Sequence, residues 1–161
     1  LQKRIDINQN IIAGELSLKL SYIGADLIIE TLNGLSKKLI IPKIQDEENV
    51  TYAPKIKTMD CKINWLHSAE RIHNHIRAFS PSPGAYTYFN HKRIKLFQSN
   101  IARNVDKILA PGQINYRRST LLIGACDKSI CIKKIQLEGK KIIPVNEFIL
   151  GFPDLLRGRF N

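Results

Sequence analysis

Four histidines and three cysteines are the side chains of this sequence that most often act as bases, nucleophiles or metal ligands. His73 and His75 lie two residues apart in a segment with helical periodicity, about 200° apart around the helix axis. They therefore cannot share a ligand or a substrate. We interpret both of them, together with His67 and His91, as surface or capping groups. The pattern predicts no catalytic residue in this chain.

The cysteines are Cys61, Cys126 and Cys131. An odd number of cysteines fits a reducing compartment better than a disulfide framework. Cys126 and Cys131 flank an expected turn at residues 127–129, so they could face each other across a hairpin. Two thiols with no histidine close in sequence make a poor zinc set, and we predict no metal site.

The charged residues are distributed unevenly along the chain. Residues 1–48 hold 6 Lys or Arg and 7 Asp or Glu, a net charge of −1, whereas residues 49–161 hold 19 and 7, a net charge of +12. Together they give the +11 of the whole chain. A surface of that sign attracts polyanions, most often nucleic acid. The alternative is a solvated basic face that has no partner.

Nine basic residues form our candidate binding track for nucleic-acid phosphates, which lysine and arginine neutralise with release of counterions. Arg93 and Lys95 should share one face of a strand with Phe97. Lys92 should point to the opposite face. We interpret Phe97 and Trp65 as core side chains and not as platforms for base stacking. The nine basic residues are Lys55, Lys57, Lys62, Arg77, Lys92, Arg93, Lys95, Lys140 and Lys141.

The first part of the chain has the pattern of the carboxy-terminal end of an α/β domain. Residues 1–7 alternate like a strand. The helical periodicity that follows is interrupted at Gly24, which predicts a broken helix pair, with Asn8 or Asn10 as the expected cap. Residues 36–49 are charged and lose this periodicity, and a domain boundary is expected there.

A second unit is expected after an extended basic strap around Pro54. Apolar residues three or four apart from residue 69 to residue 79 predict a short helix. A small helix is also expected at residues 145–150. Short strands between two helices predict a partly closed, OB-like barrel, a fold that commonly binds nucleic acid on one face. The strands are expected at residues 85–89, 92–99, 112–115, 120–125 and 129–137, the last two as a hairpin.

The junction between these units contains a set of residues whose order and spacing are specific. They are Thr51, Tyr52, Ala53, Pro54, Lys55, Ile56, Asp60, Ile63, Trp65, Ser68, Ala69, Ile72, Ile76, Arg77, Ala78, Pro81, Pro83, Gly84 and Ala85. The set resembles the junction between the two domains of the methionyl-tRNA formyltransferases. Two departures are Asn64, where the family usually has Asp, and Ser82, where it usually has Trp.

Two further groups of residues extend this resemblance from about residue 5 to residue 152. The group before the junction resembles the end of the family's catalytic domain and consists of Ala13, Gly14, Glu15, Leu16, Leu20, Gly24, Ala25 and Leu32. The group after it resembles the family's carboxy-terminal domain and consists of Ala110, Pro111, Gly112, Gln136, Gly139, Lys140, Lys141, Glu147, Phe148 and Gly151.

The resemblance implies the carboxy-terminal half of such an enzyme. Residues 1–42 would be the end of the Rossmann-like catalytic domain, residues 43–64 a basic linker and residues 65–161 the OB-like tRNA-binding domain. The implied enzyme transfers a formyl group from 10-formyltetrahydrofolate to the amino group of methionyl initiator tRNA. The Asn, His and Asp that act in the family lie upstream of the matched part. We therefore expect a fragment, beginning at Leu1 without Met, that binds tRNA and is inactive alone.

The alternative is a related formyltransferase acting on a sugar nucleotide, or formyltetrahydrofolate dehydrogenase. Such relatives share the Pro-Lys-Ile and Ile-Arg-Ala patterns of the junction, but the charge of residues 49–161 favours the tRNA enzyme. A free-standing OB module would leave residues 1–48 unexplained. No stretch reaches the roughly 18 apolar residues of a membrane helix. We expect a cytoplasmic monomer with no membrane contact.

Overall fold

The structure is a computed structural model that describes residues 1–102, 109–117 and 119–161. Contacts divide the chain into two units, residues 1–56 and residues 57–161. The predicted division into residues 1–42, 43–64 and 65–161 has different boundaries and stays a prediction.

The first unit is built on one long helix, α1 (Ala13–Ser36). The helix runs through Gly24 without a break, so the predicted broken helix pair is wrong. A glycine in a helix costs only about 1 kcal/mol relative to alanine. The leucine and alanine residues on both sides of Gly24 favour helix strongly enough to offset that cost.

The segment before α1 differs from the prediction in two respects. Residues 1–7 form neither helix nor strand, because no described strand pairs with them. Asn8 instead accepts two backbone hydrogen bonds, of 2.9 and 2.8 Å, in the turn that precedes the helix. The N-cap residue is Ile12, whose N–H donates to the Glu15 carboxylate at 3.3 Å. Neither Asn8 nor Asn10 is the cap.

The second unit begins with a 3₁₀ helix (Thr58–Cys61) and then the predicted helix, α2 (Ala69–Ala78). Ala69, Ile72 and Ile76 are buried, as their spacing predicts. Ser68 is the N-cap, and its Oγ accepts a hydrogen bond from the third backbone N–H that follows it, at 3.2 Å. The sequence thus fixes both the buried face of this helix and its start.

Replacing Ser68 by alanine is expected to lower the free energy of unfolding by about 1 kcal/mol, because an N–H at the start of α2 loses its acceptor. Urea denaturation monitored by circular dichroism measures this change. Ser68→Asp is the matched control, since aspartate caps equally well and should retain the stability of the unmodified chain. Equal stability of Ser68→Ala and the unmodified chain would contradict the capping role.

After α2 the described elements are β1 (Tyr86–Phe89), β2 (Lys92–Ile101), β3 (Ile114–Arg117), β4 (Thr120–Gly124), β5 (Ser129–Leu137), β6 (Ile143–Pro144) and α3 (Val145–Gly151). These strands form one sheet of antiparallel pairs in the order β1-β2-β5-β4-β3, with β6 also paired to β5. The strands and the small helix predicted for the second unit are confirmed, except that the strand expected at residues 112–115 lies at residues 114–117. Gly112 has a φ of +78°, a turn conformation that delays the strand.

The predicted hairpin of β4 and β5 is confirmed, but its turn spans residues 125–128 and not residues 127–129, and its cysteines are not paired across it. Cys131 lies opposite Leu122, and the last pair before the turn is Gly124 with Ser129. Cys126 therefore lies in the turn itself, and the predicted arrangement with Cys131 is wrong. Both are free cysteines. Burial raises the pKa of the Cys131 thiol, which disfavours its thiolate.

The core of the second unit lies on one face of the sheet and under α2. In β2 the buried core residues Ile94 and Leu96 alternate with outward residues as far as Gln98, which has a φ of +52°. Beyond Gln98 the alternation reverses, so Ser99 points inward and hydrogen-bonds to Nδ1 of His73 at 2.8 Å. His73 is only 6% exposed, which makes its interpretation as a surface or capping group wrong.

Residues 159–161 connect the two ends of the sheet. Asn161 exchanges two backbone hydrogen bonds with Tyr88 in β1, at 3.2 and 3.1 Å, while the Phe160 N–H donates to the Gly112 carbonyl, just before β3, at 2.9 Å. Among the described strands β1 and β3 do not pair with each other. The sheet is therefore not closed by strand pairing, and the OB-like barrel stays a prediction.

An aromatic cluster anchors this connection in the core. Phe160 stacks on Trp65, with ring centroids 5.8 Å apart, and meets Phe89 edge to face at 6.2 Å. The Thr87 hydroxyl accepts a hydrogen bond from Trp65 Nε1 at 3.0 Å and donates to the Asn161 carbonyl at 2.9 Å. Trp65 is buried, as predicted.

None of the described helices has the length and apolar composition that a membrane crossing requires.

Candidate nucleic-acid interface

The face of β1, β2 and β5 that points away from the core carries three cross-strand rows of polar and aromatic side chains. Directly paired residues of antiparallel strands project to the same face. The pairs Tyr86 with Lys95 and Lys95 with Gln136 form the middle row. We call this surface the outer face; its rows are Tyr88, Arg93 and Glu138, then Tyr86, Lys95 and Gln136, then Phe97 and Lys134.

Arg93 lies in the first row and is held from two sides. Its guanidinium carbon is 4.4 Å from the centre of the Tyr86 ring, a cation–π contact. Its Nη1 is 3.5 Å from the Glu138 carboxylate. Burial is the largest cause that raises the pKa of the Tyr86 phenol, with Tyr88 adding to it and Arg93 opposing it. The phenol is therefore neutral at pH 7 and does not neutralise Arg93.

Lys62 joins the outer face from the segment beside β1. A bridge pairs its backbone with Tyr86, and its Nζ is 5.6 Å from the centre of the Tyr88 ring. Tyr88 also contacts Tyr86 edge to face, with centroids 5.6 Å apart. Each of the two tyrosine rings thus contacts one cation, Tyr88 contacting Lys62 and Tyr86 contacting Arg93.

Lys95 and Phe97 share a face, as predicted from the strand alternation. The Lys95 side chain passes over Gly84, where an added Cβ would lie 2.9 Å from Lys95 Cδ and 3.2 Å from Phe97 Cζ. Phe97 is buried to 4% exposure, which confirms that it is not an open platform for a base. The glycine leaves the space that both side chains occupy.

The structure brings together some of the nine predicted residues and separates others. Lys62, Arg93 and Lys95 lie on the outer face. The Lys140 carbonyl accepts a hydrogen bond of 2.6 Å from the Gln136 side chain, which places the turn carrying Lys140 and Lys141 beside that face. Both lysines are exposed.

The other predicted residues occupy different places. Lys92 is on the opposite face of β2, as predicted, with its Nζ 4.9 Å from the centre of the Phe152 ring. Arg77 is on α2 and donates from Nε to Asn74 at 2.8 Å. Lys57 is exposed at the start of the 3₁₀ helix, and Lys55 is exposed in the first unit.

Sequence reasoning missed Lys134, Glu138 and the two tyrosines of the outer face. Lys134 is exposed and lies opposite Phe97. The alternation of Lys134, Gln136 and Glu138 with apolar neighbours marks one face of β5, but only the strand register shows that this face continues that of Arg93. The described cations Lys62, Arg93, Lys95 and Lys134 share the face with the Glu138 carboxylate.

The histidines and cysteines of the described residues are characterised by their clustering and by the state of their ionisable groups. No group of three or more His, Cys, Asp or Glu side chains in that part of the chain could hold a metal ion. Burial lowers the pKa of His75 and raises the pKa of the Cys61 thiol, so both groups favour their neutral forms. The charge of the outer face comes from the described cations Lys62, Arg93, Lys95 and Lys134, and a face of that sign attracts anions.

Comparison with known proteins decides the family. A model of the formyl transferase carboxy-terminal domain matches residues 55–153, which is more than half of the chain. The chain belongs to the formyl transferase family. The match includes all of the outer face as well as α2 and α3, and the family resemblance of the junction is thereby confirmed.

Methionyl-tRNA formyltransferases are among the most similar relatives of this formyl transferase chain. The enzyme of Thermodesulfovibrio yellowstonii is 42% identical over 151 residues, covering 94% of this chain and 48% of that protein. The enzyme of Carboxydothermus hydrogenoformans is 39% identical over 162 residues, covering 99% of this chain and 52% of that protein. The chain thus spans about half the length of these relatives.

Solved structures of other formyltransferase-related proteins have the same fold. HypX from Aquifex aeolicus superposes with a TM-score of 0.71 at 16% identity, over 96% of this chain and 28% of that chain. An N-formyltransferase from Helicobacter canadensis, solved with folinic acid and dTDP-3-aminofucose, gives a TM-score of 0.58 at 19% identity, over 78% of this chain and 46% of that chain. At these identities the likeness concerns the fold alone.

Proposed function

We propose that this chain is the carboxy-terminal part of a methionyl-tRNA formyltransferase and that its second unit holds the tRNA. The enzyme would transfer a formyl group from 10-formyltetrahydrofolate to the amino group of methionyl initiator tRNA for translation initiation. The observation that carries the tRNA-holding role is the outer face, on which Lys62, Arg93, Lys95 and Lys134 lie together beside aromatic rings. The identities of 42% and 39% to methionyl-tRNA formyltransferases support the choice of enzyme.

The second unit would be OB-like, with residues 159–161 supplementing the strands at the open edge. The formyl donor and the catalytic Asn, His and Asp would belong to a part of the enzyme outside this chain. The enzyme would act in the cytoplasm, as a monomer. Lys55, Lys57, Arg77, Lys92, Lys140 and Lys141 would extend the phosphate contacts beyond the outer face.

Binding of the 161-residue chain to initiator tRNA across a salt series tests this proposal. Each neutralised phosphate should contribute about 0.7–0.9 to the slope of log affinity against log salt concentration. Replacing Lys95 and Lys134 together by alanine should therefore reduce the slope by about 1.4–1.8. Lys128→Ala is the matched control, because Lys128 is exposed in the β4–β5 turn at the other end of β5.

The same titration with a sugar nucleotide addresses the alternative enzymes. Steep, Lys95-dependent binding of tRNA together with no binding of the sugar nucleotide would support the proposal. An absence of tRNA binding at low salt would contradict it. In that case a sugar-nucleotide formyltransferase or formyltetrahydrofolate dehydrogenase would become the better assignment.

A further inference from the structure

Glu138 places a negative charge on the cationic outer face. It directly follows β5, and its backbone N–H donates to the Arg93 carbonyl at 3.1 Å. Its carboxylate lies 3.5 Å from Arg93 Nη1. The Glu138 side chain is 66% exposed, whereas the Arg93 side chain is only 24% exposed. The carboxylate is thus free to move away, while the guanidinium is not.

Arg93 keeps its position without Glu138 because it is held by the Tyr86 ring, 4.4 Å from the guanidinium carbon. Among the described residues, nothing accepts a hydrogen bond from its buried Nε. A guanidinium binds carboxylate and phosphate oxygens with the same planar donors. A phosphate that binds Arg93 through Nη1 therefore competes with the Glu138 carboxylate for the same donor.

We propose that Glu138 competes with RNA phosphates for Arg93 and thereby weakens sequence-independent binding to the outer face. This inference deepens the proposed function and rests on it. An RNA that places a phosphate next to the Arg93 guanidinium displaces Glu138. A polyanion that is attracted only by the overall positive charge of the outer face does not displace it. Exposed ion pairs are weak, so removing the carboxylate should tighten binding by only about twofold to fivefold.

The test measures tRNA affinity across a salt series for Glu138→Gln, Glu138→Asp, Arg93→Gln and the Arg93→Gln/Glu138→Gln pair. Glu138→Gln should bind about twofold to fivefold more tightly. Its salt slope should also be steeper, by no more than the roughly 0.7–0.9 of one phosphate contact, because Arg93 is then available to neutralise a phosphate. Glu138→Asp keeps the charge and should behave like the unmodified chain. In the Arg93→Gln background, replacing Glu138 should leave the slope unchanged.

Glu70→Gln is the matched control for the loss of one negative charge. Glu70 is exposed in the first turn of α2. Its neighbour Ala69 bonds to Asp127 in the turn that precedes β5, so Glu70 lies at the opposite end of that strand from Glu138. Equal effects of Glu70→Gln and Glu138→Gln would overturn the proposal. So would an effect of Glu138→Gln that persists without Arg93.

A parallel measurement on heparin separates this inference from the proposed function. Glu138→Gln should elute from heparin at higher salt than the unmodified chain, and the difference should vanish in the Arg93→Gln background. That result would support the competition even if initiator tRNA did not bind, which would refute only the tRNA-holding role. Elution of Glu138→Gln at the salt concentration of the unmodified chain would refute the competition itself.

Discussion

Phe160→Ala is expected to lower the free energy of unfolding by about 3–5 kcal/mol, the usual cost of removing a buried aromatic ring. Phe160 is 2% exposed and contacts the rings of Trp65 and Phe89. Its removal would leave a cavity between these rings. It would also loosen residues 159–161, which bond to β1 and to Gly112. Urea denaturation monitored by Trp65 fluorescence measures the loss.

The matched control for this change is Leu150→Ala. Leu150 is 86% exposed on α3, so its truncation should alter the free energy of unfolding by less than about 0.5 kcal/mol. A loss for Phe160→Ala as small as that of Leu150→Ala would show that the aromatic cluster does not hold the second unit together.

Gly124→Ala is expected to lower the free energy of unfolding by about 2–3 kcal/mol through overpacking. A Cβ on Gly124 would meet the carbonyl oxygens of Ala110 and Leu109, the latter at 2.5 Å. These are backbone atoms, and nearby hydrogen bonds of 2.8 and 3.0 Å tie Gly124 to Gly112 and Gln113. The backbone could retreat only by breaking those bonds. Thermal or urea unfolding measures the effect.

Gly151→Ala is the matched glycine control. Gly151 ends α3, and an added Cβ would have nothing within 4 Å. This change should leave stability unchanged or raise it by about 0.5 kcal/mol, since alanine restricts the unfolded chain. If Gly124→Ala proved as harmless as Gly151→Ala, the close approach of residues 109–110 to β4 would be contradicted.

The elements of the second unit were predictable because several local signals agree. In α2 the buried positions recur at helical spacing and Ser68 supplies the cap. In β5 the predicted bounds are the observed ones. By contrast, the strand at residues 1–7 and the break at Gly24 were predicted from patterns whose meaning depends on neighbours elsewhere in the fold. A strand needs a partner, and a helix tolerates one glycine.

The candidate site was only half predictable, for a related reason. Strand alternation placed Arg93 and Lys95 on one face and Lys92 on the other. Lys134 and Glu138 could be added only from the register of β2 against β5, which is a tertiary property. Gln98 shows most directly what strand alternation cannot predict. Its positive φ reverses the inward–outward alternation of β2, and no glycine marks the position in the sequence.

The link between β1 and residues 159–161 also has a consequence for how the second unit folds. The Thr87 hydroxyl bonds to a carbonyl 74 residues further along the chain. Contacts between such distant residues form late and slowly, because a long loop must close before they stabilise anything. During synthesis on the ribosome the core around Trp65 therefore stays incomplete until Phe160 has left the exit tunnel. Until then its aromatic side chains are exposed, which makes this the interval in which the nascent unit is most prone to aggregation.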